Sequence, residues 1–411
     1  MAITIQYNPS TYFSVNGDVI FTVVDIVKAS DPATYPDYRY VADIYIGSTM
    51  VARLKAYPDP TNKIGVFNIG NILRSYMAAV FNPTPSVLRS QQMGSGEFFI
   101  AATVKFGEEY DFVLYTNLTV DSARTYYGHY NGRLIGQLTN LSTYVDKPAT
   151  TRTVHTVITP ASMGTTIYSG NRNNFIPFLP TTADPVTLRI KAFTDAGVQL
   201  SSNDQAYTPS GANILQIYNL SPIVINTAFP GAIDFNVTKY YTVQFLTPNI
   251  LLDRIIKFIL VCEPMYEVFT LHFLNKYGGF ESRDFTKVSR KTIDIEKSEF
   301  GKLGYTMDSS GIVSYASTGK VYNETKSVYS SQYKEKLTLN TDILSDDEYT
   351  WLGELILSPM VYVEQLSGTD VYFLPAAITA NNYEFRKVIN DKLTNLTIDI
   401  EFGEQFNAQY R

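Results

Sequence analysis

Residues 263–285 read EPMYEVFTLHFLNKYGGFESRDF: two apolar runs, 266–274 and 280–285, around Asn275-Lys276-Tyr277-Gly278-Gly279. Phe269, Leu271 and Phe273 fall on one side of a two-residue period, and Val268, Thr270, His272 and Leu274 on the other. Successive side chains of a strand point to opposite faces, so this period predicts a strand and not a helix. Asn and a Gly pair tolerate positive φ, and between two such runs they predict a tight turn. The stretch is expected to be a β-hairpin, with Gly278 and Gly279 serving the turn and residues 275–279 forming its tip.

Working outward, the same period recurs. Asn16-Gly17 between 12–15 and 19–24 gives a second hairpin signal. Strands are expected over 38–46, 51–57, 97–105 and 110–120, the last two joined at Gly107. Between them Ile69, Ile72, Leu73, Tyr76, Met77 and Val80 recur at helical spacing, predicting a helix over 68–81 with Asn68 as N-cap. Further strands are expected over 153–158, 174–179, 186–193, 214–218, 239–246 and 254–261, with Asp195-Ala196-Gly197 as a turn. Beyond the opening hairpin, 291–297, 322–339, 361–365, 371–374, 383–389 and 396–402 read as strands. Ser345 and Glu348, three apart, form a capping box opening a helix to 357, with Trp351, Leu352, Leu355 and Ile356 as its apolar stripe. The expected fold is mainly β: tandem β-sandwich-like domains with two short amphipathic helices. The expected divisions are 1–122, 123–262 and 263–411.

Composition narrows the function classes. The chain has 411 residues, 45% hydrophobic and 18% charged, so it is globular. Net charge is −6 with no basic stripe, which argues against a nucleic-acid partner. The lone Cys262 lies beside an apolar run and reads as a buried strand thiol. The first residues have neither a basic nor an apolar signal region, and no apolar run is long enough to span a membrane. Synthesis in a cytoplasm is the expectation.

Catalytic motifs are scarce. His129, His155 and His272 lie far apart, without metal spacing to one another or to Cys262. Asp346-Asp347-Glu348 is better explained as a helix start than as a metal cluster. Glu263, Glu267 and Glu281 flank the hairpin and invite comparison with a glycosidase carboxylate pair, but Glu267 reads as a solvated strand position. The chain holds 31 Tyr. Clusters such as Tyr126, Tyr127 and Tyr130, or Tyr240 and Tyr241, suit either sugar stacking or a subunit interface. No cofactor and no metal is expected, and the chain is not expected to be an enzyme.

Three blocks carry a resemblance. They are YVADIYIGSTMVARLKAYPDP at 40–60 with GVFNIGNILRSYM at 65–77, FLNKYGGFESRDF at 273–285, and DDEYTWLGELILSPMVYVE at 346–364 with the final NDKLTNLTIDIEFGEQFNAQYR. In these, the chain resembles structural virion proteins of tailed bacteriophages that infect Bacteroidota-type bacteria. Residues 123–260 match least. The resemblance implies a virion component of the tail, baseplate or neck, made in the host cytoplasm. It implies partners that are further copies of the chain and other virion proteins. The alternative is a tail module binding a host surface glycan or receptor. The candidate interface residues are Asn275, Lys276, Tyr277, Gly278 and Gly279 at the hairpin tip, with Tyr126, Tyr127 and Tyr130.

Overall fold

The computed structural model describes the chain apart from residues 1–2, 10–11, 16–17, 78–79, 93–98, 122–123, 128–151, 158, 161–167, 170–171, 179–184, 209–214, 248–249, 252–254, 262–265, 276–278, 319–320, 323, 342–343, 345, 368–369, 380–394 and 411. The fold is mainly β, in several antiparallel sheets, with four short helices among the described residues. The chain forms two compact units: Met1–Glu263 with His272–Arg283, and Pro264–Leu271 with Asp284–Arg411.

The first unit has two separate hydrophobic cores. In one, the three-stranded sheet Thr4–Tyr7, Ile20–Val24, Ile64–Asn68 covers a six-stranded sheet built on Arg39–Ile46, Thr49–Ala56 and Phe99–Tyr110. Alternation puts Phe21 and Phe67 on the inner face of one sheet and Phe106 on that of the other, ring centres 5.7 and 5.9 Å apart. Fully burying such a ring contributes about 1.5–3 kcal/mol. The helix Gly70–Ser75 adds Leu73 to this core. In the other core, strand Val186–Phe193 lies between Gln199–Tyr207 and Tyr240–Thr247, its buried Val186, Leu188, Ile190 and Ala192 alternating with partly exposed residues. Helix Pro222–Ala228 and the strands Phe175–Phe178 and Leu215–Asn219 supply Val224, Ile225, Ile176 and Tyr218 to it.

The second unit holds five strands in one continuous sheet order: Val361–Ser367, Asp370–Ile378, Thr397–Tyr410, Lys326–Asn340, Arg290–Gly301. Leu337, Leu339, Ile398 and Ile400 are buried while Thr397 and Asp399 are exposed, as the final alternating stretch requires. Helix Asp346–Leu357 buries Trp351, Leu352 and Leu355.

Four local expectations are corrected. Residues around Asn16-Gly17 do not make a hairpin: Tyr12–Ser14 pairs in parallel with Arg124–Tyr127, whereas Ile20–Val24 joins the facing sheet. The buried Val15 and Val19 mark where the chain crosses from one layer to the other. Gly107 is not a turn but lies inside Phe99–Tyr110; the turn is Asp111–Phe112, both at positive φ. A Cβ on Gly107 would lie 2.2 Å from the Tyr115 carbonyl oxygen, so this glycine serves a close backbone approach. The helix expected over 68–81 covers only Gly70–Ser75; beyond it Phe81 packs on Phe280, 4.6 Å between ring centres. Helices Ile26–Ala29 and Pro222–Ala228 join the two expected ones. The strand expected over 383–389 lies outside the described residues, as does Ser345 of the capping box.

Candidate functional site

The opening stretch folds as the expected hairpin, Phe269–Leu274 and Phe280–Phe285, but all twelve strand residues are buried. Half of them are polar: Thr270, His272, Glu281, Ser282, Arg283 and Asp284. An unsatisfied buried polar group costs about 1–3 kcal/mol, so such a hairpin persists only through its hydrogen bonds. In the second unit Thr270 Oγ1 donates to Asp284 Oδ1 at 2.6 Å. In the first, the backbone N–H of Phe175 donates to Ser282 Oγ at 2.8 Å, and His272 Nδ1 lies 2.8 Å from the same oxygen. The His272 ring sits between Phe81 and Phe175, 5.8 and 5.2 Å from their centres. The histidine is an interior packing residue with a hydrogen-bonded edge.

The turn is held the same way. Asn275 N–H donates to the Gly279 carbonyl at 2.8 Å, and Gly279 N–H donates to Asn275 Oδ1 at 3.0 Å. Asn275 Nδ2 donates to Glu281 Oε1 at 2.9 Å. A Cβ on Gly279 would meet the Pro177 ring, 2.1 Å from its Cβ. Asn275 and Gly279, the two described ends of the expected turn, are therefore interior positions, and Gly279 lies close against Pro177. Lys276, Tyr277 and Gly278 lie outside the described residues, as does Tyr130. Tyr126 and Tyr127 lie on strand Arg124–Tyr127, and their side chains are outside the described set.

The remaining candidates separate. Glu281 is buried on Asn275, whereas Glu267 is exposed and pairs with Lys291 at 3.3 Å; Glu263 is outside the described residues. The two described carboxylates thus sit in unlike surroundings, one interior and one at the surface. Tyr241 is a core ring stacked on Phe258 at 4.8 Å, its hydroxyl donating to the Leu220 carbonyl at 2.6 Å. Tyr240 stacks on Phe193 at 5.0 Å with Lys257 Nζ 4.0 Å from its centre. His155 is on strand Arg152–Val157 with its side chain undescribed, and Cys262 and His129 lie outside the described residues.

One polar cluster lies apart from these candidates. Glu108 is buried, pairs with Lys28 and accepts from the Tyr38 hydroxyl at 3.1 Å. Lys28 Nζ also lies 5.7 and 5.5 Å from the ring centres of Tyr35 and Tyr110. Burial, and then the Glu108 charge, push the Tyr38 hydroxyl far above the usual tyrosine range. The signal was available: Glu108 shares the two-residue period of the inward-facing Val104 and Phe106.

Two exposed features stand apart from these interiors. Phe112 is 93% exposed at the Asp111–Phe112 turn, beside exposed Val113, Leu114 and Tyr115. Strand Arg290–Gly301 forms one edge of its sheet and has no buried residue over its twelve positions.

Among the described residues no group of three or more His, Cys, Asp or Glu is placed to hold a metal ion. No described helix is long and apolar enough to cross a membrane. No protein-family model matches the chain, and comparison with curated proteins finds no significant match.

Proposed function

We propose that the chain is a structural component of a tailed-phage particle. It would act by packing against copies of itself and other virion proteins in the tail, baseplate or neck. The observation that carries this is the fate of the block FLNKYGGFESRDF, one of the three that bear the likeness. The described polar side chains in it, at His272's neighbour strand and around the turn, are buried and engaged in interior contacts, including Asn275 with Glu281 and Ser282 with Phe175. A block that spends its polar groups on internal bonds supports a scaffold role over solution chemistry. The low charge and the 31 Tyr accord with a chain that buries surface against neighbours. The test is peptide mass spectrometry of purified particles from infected cells. The chain should co-purify with the major structural proteins in fixed stoichiometry; its absence from particles would sink the proposal.

A second reading, a glycan- or receptor-binding tail module, is favoured by Phe112, whose ring is almost fully exposed in a left-handed backbone. A large side chain in that region is uncommon and concentrates at sites under functional constraint. A glycan array probed with the parent and with Phe112→Ser would separate the two: loss of binding in the variant supports this reading, and no binding by either removes it.

A further inference from the structure

Exposed sheet edges offer unpaired backbone groups to any passing strand, and proteins blunt them with bulges. Four exposed edge strands of eight residues or more are described here. Three carry extra residues of their own. Thr49–Ala56 skips Val51 between Ile44 and Tyr45 of its neighbour. Val113–Val120 runs from Thr119 to Tyr115 against Phe106 and Glu108, with Asn117 at φ 58°. Gln199–Tyr207 skips Leu200 against Ala192 and Phe193. The fourth, Arg290–Gly301, is the longest, and its one irregularity lies in the neighbouring strand, which passes from Ser330 to Val328 while Ser298 steps regularly to Glu299. It is the edge of the set without a bulge of its own. It also exposes Ile293 and Ile295 on one face, at 56 and 62%.

We infer that Arg290–Gly301 pairs antiparallel with the same strand of a second copy, about a two-fold axis at Ile295. This deepens the assembly reading above and rests on it. A two-fold axis normal to a sheet sets each residue opposite one of its own face, so only registers centred on a residue are allowed. Centring on Asp294, Glu296 or Lys297 sets a charge against itself. Centring on Ile293 or Ser298 leaves seven residues paired. Centring on Ile295 pairs residues 290–300 and sets Lys291 opposite Glu299 twice, Arg290 opposite Phe300, and Ile295 against its twin. The like-charged juxtaposition of Asp294 with Glu296, which likewise occurs twice, is eased by Lys336, which already pairs with Asp294.

Charge also favours this place over others. The whole chain carries −6, so two copies repel over most of their surface. Residues 290–326 carry six Lys and Arg (290, 291, 297, 302, 320, 326) against five Asp and Glu (294, 296, 299, 308, 324), and are near neutral.

The test is oxidation of Ile295→Cys, with the parent and Ile293→Cys as controls, read on non-reducing gels. Directly opposed residues lie at about 4.5–5.5 Å between Cα atoms, within disulfide range, whereas position 293 and its twin are four residues apart along the strands, about 13 Å. Ile295→Cys should cross-link at least tenfold faster than Ile293→Cys, and the parent not at all. Equal rates at 293 and 295 would overturn the register. In sedimentation equilibrium, Lys291→Glu should weaken the parent's dimer at least tenfold, and Lys291→Glu with Glu299→Lys should restore it. A parent that stays monomeric, with no cross-link at 295, overturns the inference outright. Such a result leaves the particle assignment intact if the chain is still found in virions, so the two can fail separately.

Discussion

Replacing Gly279 by alanine tests whether the end of the hairpin turn is an interior joint. The added Cβ would come within 2.1 Å of Pro177 Cβ and 2.5 Å of its Cγ. Neither partner yields easily. Pro177 is a ring held in strand Phe175–Phe178, in register with Ile217, and Gly279 is tied on both sides to Asn275. Overpacking of a core costs about 1–3 kcal/mol, and a rigid partner puts this site near 3 kcal/mol. At about 2–4 °C per kcal/mol for domains of a few hundred residues, the first unit should melt about 6–12 °C lower. The single tryptophan, Trp351, is buried in the second unit, so its fluorescence follows that unit alone, while circular dichroism follows both. The variant should shift the circular dichroism transition that tryptophan does not report. Pro177→Gly removes the clashing atoms, so the double variant should recover at least about 1 kcal/mol relative to additivity. A Gly279→Ala protein within about 0.5 kcal/mol of the parent, or strict additivity in the double variant, would refute the argument.

Four further outcomes are expected. Gly107→Ala should cost about 2–3 kcal/mol in urea denaturation, because its Cβ would meet backbone, the Tyr115 oxygen at 2.2 Å and Thr116 Cα at 3.0 Å. Gly47→Ala, with open space but φ +59°, should cost only the left-handed penalty of about 1–2 kcal/mol. Ser282→Ala strips the acceptor from the buried Phe175 N–H and should cost about 1–3 kcal/mol, read as faster amide exchange at Phe175 by mass spectrometry. The Tyr38 hydroxyl is held above its ordinary value near 10, so the folded state keeps a proton that the unfolded state gives up. That contribution is complete below pH 10 and is lost as pH rises beyond it, at up to about 1.4 kcal/mol per pH unit. Tyr38→Phe should flatten the alkaline fall in melting temperature; an unchanged slope would contradict it.

Much of the framework was legible because burial in a sheet imposes a two-residue period. Val186–Phe193 alternates without interruption, and its expected bounds coincide with the observed strand. The hairpin at 269–285 was readable for the same reason. What the period there does not tell is burial on both faces: Thr270, His272, Glu281 and Asp284 are polar, yet they are buried with the apolar residues between them. Only three-dimensional partners, such as Phe81 for His272, could have shown that. Gly107 misled because glycine meets two different needs, a turn and a close approach, and the sequence does not distinguish them. Helix Pro222–Ala228 is too short to develop a helical period of its own. Edge bulges leave still less trace, since one extra residue in a strand changes no local preference.

The ladder between Arg290–Gly301 and Lys326–Asn340 closes with Gly301 opposite Lys326. Whatever lies between them enters and leaves the sheet at a single paired rung. Among the described side chains of residues 302–325 none is buried. This makes the segment a natural cassette. A two-residue Asn-Gly turn could replace it while preserving the rung, since that dipeptide suits the twist of adjoining strands. A fluorophore-binding tag or a short antigenic peptide could likewise be spliced there and carried by the protein clear of its buried cores.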